Sequence, residues 1–327
     1  MSVVIGCSGS TGSSLLKTIL NRHAQIFAGP EAALFAFPQV YENWIVCKKK
    51  LLRGIKNEDW QLRKGMILVQ PEFGWKQPEL EQVIVKSTSF EAFVKTFFAK
   101  PLERENKAIW VAKTPANAVG LASFLSHFSK GKVVQTVRNP YDTIASLMAR
   151  GINAYAATAY YVYNTAAATS NSGNQRYHEI KYEALVANPT PIIKELLAFL
   201  DLPFEPEILV AKHEKRAEPT AMKGWKHEET AAVKSSSVGR FQELEAAQQA
   251  LIKGAFAAFH ISENYLQKRQ IKYANGAQLC EILGYEYLPS NTTEYQFLLK
   301  KYKWTDQLSR VKHGFYGQFF DYPGQLK

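Results

Sequence analysis

Between Ser8 and Ser14 the chain reads S-G-S-T-G-S-S, a run of residues small enough for backbone N–H groups to approach a ligand closely. Leu15, Leu16, Ile19 and Leu20 then recur at helical spacing, so the positive end of a helix dipole points at the same place. The hydroxyls of Ser10, Thr11, Ser13 and Ser14 add further donors. Such a constellation suits a phosphate or a sulfate, although glycines and serines also make plain turns. It is not a nucleoside-triphosphate loop, because Gly6 and Gly12 stand one residue too far apart and Ser13 occupies the place of the required lysine. The dinucleotide fingerprint G-x-G-x-x-G also fails, and Gly9 does not repair either spacing.

A second constellation runs from Val133 to Ser146, V-V-Q-T-V-R-N-P-Y-D-T-I-A-S. Arg138 falls at the carboxyl end of an apolar strand pattern, where open α/β sheets place their ligands, and Ser146 lies about two turns into the next helix. A guanidinium grips a phosphate through paired hydrogen bonds and a serine adds one more. Each residue alone reads equally well as a helix cap or a solvated side chain. No group of residues has metal-ligand spacing, so no metal is expected. His23 and His127 fall at helix ends, where structural roles suffice. His227, beside Trp225 and Lys226 in a polar stretch, is placed to touch an acceptor.

The elements that must hold these residues follow an alternating pattern. Ser2 to Cys7, Ile109 to Ala112, Val133 to Val137 and Tyr177 to Lys181 read as buried strands. Helices are expected after the first loop, over Pro115 to Phe128, over Tyr141 to Ala149, over Pro191 to Leu200 and over Gln248 to Gln267. The rhythm predicts an α/β fold, a P-loop-like parallel β-sheet flanked by helices. Val40 to Lys100 is mostly helical in pattern, with Lys48-Lys49-Lys50 as a solvated face, and Lys212 to Gly239 reads as a polar loop. Residues 1–288 are expected to form one domain, with 289–327 a mostly helical C-terminal extension packed on it.

Composition bounds the function. With 46% hydrophobic and 21% charged residues in 327 positions, a sizeable core is available. The formal charge of +11 suits a polyanionic ligand, whereas no zinc-finger or RNA-recognition signature supports a nucleic-acid partner. Three widely spaced cysteines imply no disulfide framework. The chain starts without a signal-peptide pattern and no stretch reaches membrane-spanning length, so a cytoplasmic location without membrane contact is expected.

Taken with Ala28-Gly29-Pro30-Glu31, Val111-Ala112-Lys113-Thr114-Pro115, Lys181-Tyr182-Glu183-Ala184-Leu185 and Ser237-Val238-Gly239-Arg240-Phe241, the two constellations are similar in order and spacing to the motifs of sulfotransferases that use 3′-phosphoadenosine 5′-phosphosulfate (PAPS). The match runs over roughly Val3 to Leu288 and most resembles the branch of tyrosylprotein and bacterial sulfotransferases. The resemblance implies that Gly9, Ser10, Thr11, Gly12, Ser13 and Ser14 hold the 5′-phosphosulfate. Arg138 and Ser146 would hold the 3′-phosphate, and Tyr182, Ser237, Val238, Gly239 and Arg240 would close over the nucleotide. Glu31 falls where that branch has its catalytic base and Lys113 where it has a lysine near the leaving oxygen.

One position departs from the family pattern. A lysine or arginine usually stands two residues before the glycine equivalent to Gly12, and here the residue is Ser10. Charge developing on the departing phosphate needs a cation or oriented dipoles, and Lys113 is assigned that task. The expected reaction is in-line transfer to a hydroxyl or amine of a small-molecule acceptor, a natural product or metabolite, releasing 3′-phosphoadenosine 5′-phosphate (PAP). A kinase with a related loop and a non-catalytic nucleotide-binding protein remain the alternatives. Neither the acceptor nor the oligomeric state is legible.

Overall fold

The computed structural model describes residues 1–32, 34–56, 71–210, 237–290, 296–313 and 324–326. Five parallel strands form the central sheet: β1 (Ser2–Ile5), β2 (Ile26–Phe27), β3 (Ile109–Lys113), β4 (Gly131–Val137) and β5 (Tyr177–Lys181). Their order across the sheet is β2-β3-β1-β4-β5. The strands read as nearly unbroken apolar runs because both faces are covered. Val3, Ile5, Val111 and Val134 point to one side, against Leu16, Ile19 and Leu20 of α1 (Ser13–Asn21). Val4, Trp110, Ala112 and Val133 point to the other, against an aromatic layer.

Three helices build that aromatic layer: α2 (Trp44–Lys56), α3 (Gln77–Lys86) and α4 (Phe90–Arg104). In it the ring of Phe98 stacks on Trp110 of β3 with centroids 4.2 Å apart. Next in the chain come α5 (Leu121–His127), α6 (Pro140–Met148) and α7 (Ala154–Thr169). Past β5 lie α8 (Tyr182–Ala187), α9 (Pro189–Phe199), α10 (Ala246–Ala258), α11 (Glu263–Arg269) and α12 (Gly276–Leu283). Toward the C-terminus, α13 (Gln296–His313) packs on α7, and its Leu299 is buried beside Ala154, Ala255 and Ala258.

The helix expected over Pro115 to Phe128 is split: a 3₁₀ stretch, Pro115–Gly120, precedes α5. Asn117 lies wholly buried there, donating to the carbonyls of Ile5 and Ala112, and ties the stretch to the strand ends. Gly120 follows because a Cβ at that position would meet the Phe35 carbonyl oxygen at 1.8 Å. The helix expected over Gln248 to Gln267 is likewise interrupted, by β6 (Phe259–Ile261), which pairs antiparallel with β7 (Gly324–Leu326). Phe259 and Ile261 are buried and His260 between them is not, a two-residue alternation that a helix cannot use. The segment 212–236, with His227, lies outside the described residues.

The carboxyl ends of neighbouring strands gather the residues singled out from the sequence. Across the sheet, Glu31 follows β2, Lys113 ends β3, the Ser8–Ser14 loop follows β1, Arg138 follows β4 and Tyr182 follows β5. Their convergence is a consequence of strand order and of parallel direction.

Candidate functional site

The loop after β1 turns sharply into α1. Gly12 takes φ +86° as the residue capping α1, and Ser10 takes φ +68°, a left-handed conformation uncommon for a residue with a Cβ. Space is as restrictive as conformation: a Cβ on Gly12 would lie 2.4 Å from Cδ2 of Tyr182. A Cβ on Gly9 would lie 2.9 Å from Cε1 of Tyr160. The Thr11 hydroxyl donates inward to the Ser8 carbonyl at 2.9 Å and shares a 2.8 Å contact with Thr136 of β4. It therefore shapes the loop, leaving outward donation to the amides and to other hydroxyls. The Oγ atoms of Ser8 and Ser10 are buried and have no partner among the described residues.

On one side of the loop stands Lys113, 3% exposed. Its Nζ donates to Ser14 Oγ at 3.1 Å and forms an ion pair with Glu31 Oε1. The Glu31 side chain is 41% exposed, so a buried ammonium is matched by a carboxylate half open to solvent. Tyr160, from the middle of α7, faces the same region. Its hydroxyl is pushed well above the usual phenolic range by burial first, then by the nearby Cys7 and Glu31, with Arg150 opposing.

On the other side Arg138, 2% exposed, reaches the loop. Nη1 donates to the Ser10 carbonyl at 3.0 Å, Nη2 donates to the Ser237 carbonyl, and Nε is buried with no partner among the described residues. The guanidinium carbon sits 5.1 Å from the centre of the Tyr182 ring, which packs against Gly12. Burial lowers the Arg138 pKa, with Asp142, Tyr182 and Glu183 opposing and Arg240 adding to the depression. Ser146, buried on α6, accepts from Arg240 Nη1 at 3.0 Å. Ser237, Gly239 and Arg240 thus lie over the cation cluster, while Val238 turns outward at 43% exposure.

Three residues in this region escaped sequence reasoning. Asp142 lies four residues after Arg138 and four before Ser146, and helical spacing was a usable signal for it. Arg150, an exposed residue just past the end of α6, has its pKa lowered by partial desolvation first and then by the charges of Arg240 and Arg138. Nothing in its sequence context marks it. Tyr160 sits in a helix buried on almost every side, where no amphipathic period exists to orient it.

A five-stranded parallel sheet flanked by helices, with a glycine- and serine-rich turn, a buried lysine and a buried arginine at its carboxyl ends, defines an α/β protein of the P-loop-like kind. Residues 2–206 match the Sulfotransferase family, and the chain belongs to it. Among solved structures it is similar to a sulfotransferase domain from the curacin biosynthetic pathway, at 19% identity and a TM-score of 0.49, over 88% of this chain and 98% of that one. A sulfotransferase domain from the Synechococcus PCC 7002 olefin synthase aligns at 18% identity and a TM-score of 0.48, over 88% and 95%. Sulfotransferase STF9 from Mycobacterium avium aligns at 12% identity and 0.40, over 84% and 78%. No curated protein matches the chain.

Proposed function

We propose that this sulfotransferase takes its sulfuryl group from PAPS and passes it to a hydroxyl of a small-molecule acceptor, a natural product or metabolite, releasing PAP. The observation that carries the reading is the direct meeting of the Ser8–Ser14 loop with Arg138, whose Nη1 donates to the Ser10 carbonyl at 3.0 Å. A nucleotide with anionic groups at both ends needs donors of these two kinds. The residues fit such a ligand. Ser8 Oγ, Ser10 Oγ and Arg138 Nε are buried donors without partners among the described residues.

In this reading the loop from Gly9 to Ser14 holds the 5′-phosphosulfate through its amides and the dipole of α1. Arg138 and Ser146, with Arg240, hold the 3′-phosphate, and Tyr182 and Ser237 to Gly239 border the nucleotide. When bound, PAPS supplies an activated sulfuryl group. Lys113, beside Ser14, provides the positive charge that Ser10 lacks, set where negative charge develops on the leaving phosphate. Glu31 is the carboxylate open enough to meet an incoming acceptor and takes its proton. Positioning and electrostatics carry most of such a transfer.

The test combines binding with turnover. Excess PAP should raise the melting temperature of the protein, and labelled sulfuryl groups from PAPS should appear in at least one member of a metabolite acceptor pool. Failure of PAP to protect the protein from heat overturns the donor assignment.

A further inference from the structure

Asp142 is 3% exposed and belongs to no role assigned so far. Its two carboxylate oxygens face the segment that borders the nucleotide. Oδ2 accepts from the Gly239 amide and Oδ1 from the Phe241 amide, each at 2.8 Å. Oδ2 also lies 3.8 Å from Arg138 Nη2. Asn139 caps α6 by accepting from the amides of Tyr141 and Asp142, and Glu183 accepts from the Asn139 amide at 2.8 Å, so the start of that helix is fixed. Gly239 takes φ +82°, which lets two amides on either side of Arg240 turn toward one carboxylate. Arg240, between them, is thereby sent to Ser146.

The same carboxylate offsets a like-charge cluster. Arg240 lies close enough to the buried Arg138 for its charge to act against that of Arg138, and such like charges stay together only with a counter-charge or an anionic ligand between them. Asp142 contacts one of the two arginines and the backbone flanking the other. We infer that Asp142 is a positioning residue for donor recognition, a carboxylate that latches Gly239 to Phe241 so that Arg138 and Arg240 converge on the 3′-phosphate.

This rests on the proposed PAPS site, and the test separates the two. Calorimetry with PAP and with AMP, which lacks the 3′-phosphate, is run on the parent protein and on Asp142→Asn. The parent should prefer PAP, and D142N should lose about tenfold of that preference, the scale of one charged hydrogen-bonded contact. In turnover, KM for PAPS should rise with kcat little changed. Equal weakening of PAP and AMP, or an unchanged ratio, overturns the positioning role while leaving the donor site intact. A parent that binds PAP no better than AMP overturns the donor reading instead. If D142N does not fold, hydrogen exchange on the ligand-free parent decides: the Phe241 amide should be protected, and exchange at an unprotected rate overturns the latch.

Discussion

Tyr182 packs so closely on Gly12 that a single added methyl at position 12 would reach 2.4 Å from its Cδ2. The relationship joins the carboxyl end of β5 to the turn after β1, two strands separated in the sheet by β4. Through it the Tyr182 ring, which also lies under Arg138, and the turn after β1 pack as one unit.

Gly12→Ala should therefore be costly twice over. The left-handed φ of +86° penalises any Cβ by about 1–2 kcal/mol, and the collision with Tyr182 adds roughly 1–3 kcal/mol of overpacking. Adding Tyr182→Ala relieves the second contribution and leaves the first. Denaturant unfolding of both single variants and of the double variant should show coupling of about 1 kcal/mol or more in the relieving direction. Additive costs would mean that Tyr182 yields freely and the unit is not rigid.

Arg138→Gln keeps the shape of the side chain's stem and removes its charge. If the guanidinium recognises the 3′-phosphate, PAP affinity should fall by roughly 10- to 100-fold, the range for charge-assisted hydrogen bonds. AMP affinity should fall much less. Because Arg138 also ties Ser10 to Ser237, some loss of thermal stability should accompany the change. An equal drop for both nucleotides would assign Arg138 to the loop's architecture alone.

The Lys113–Glu31 pair predicts an asymmetry. Glu31→Gln leaves a buried ammonium without its counter-charge and should destabilise the fold by roughly 1–3 kcal/mol. Lys113→Met leaves a carboxylate that is already half in water and fills the buried volume with apolar atoms, so its stability cost should be near zero. Turnover should respond differently: if Glu31 is the base and Lys113 the cation of the proposed transfer, both variants should lose about a hundredfold or more in kcat. Urea unfolding and single-turnover transfer from PAPS check the two halves separately. Near-parent turnover in Lys113→Met would move the positive charge to another residue.

The parallel sheet was legible because its strands are buried on both faces, and runs such as Val3 to Ile5 and Val133 to Val137 carry little but apolar side chains. The loop after β1 and Arg138 could be placed at the carboxyl ends of strands because each directly follows an apolar run. What stayed hidden was hidden by burial or by long range. The helix Ala154–Thr169 shows no period because nearly all of its residues are covered, so the stretch 151–175 offered no motif. The strand Phe259–Ile261 depends on a partner more than 60 residues later, and no local propensity specifies that pairing. Asp142 was concealed in plain view inside a quoted motif, since its partners are backbone amides contributed by a segment 97 and 99 positions away.

Glu179 of β5 offers a check on the buried polar layer beneath the sheet. The Tyr177 hydroxyl donates to Gln135 at 2.6 Å and to Glu179 at 3.3 Å, within a pocket that also holds the Thr169–Gln135 contact. Burial raises the Glu179 pKa, and the Tyr177 hydrogen bond and the Lys181 charge only partly oppose it. The sign follows from proton counting. A carboxyl whose folded pKa lies above its unfolded value binds more protons when folded, so its contribution to stability is full below about pH 4.3 and is lost as pH rises through the folded pKa. Glu179→Gln mimics the protonated form and keeps an oxygen that can accept from Tyr177. Melting temperatures of the parent and of Glu179→Gln should therefore coincide near pH 4 and diverge by pH 7, with the variant the more stable. A difference that stays constant across that range would mean that water reaches the Glu179 carboxylate in the folded protein and that burial does not control its charge.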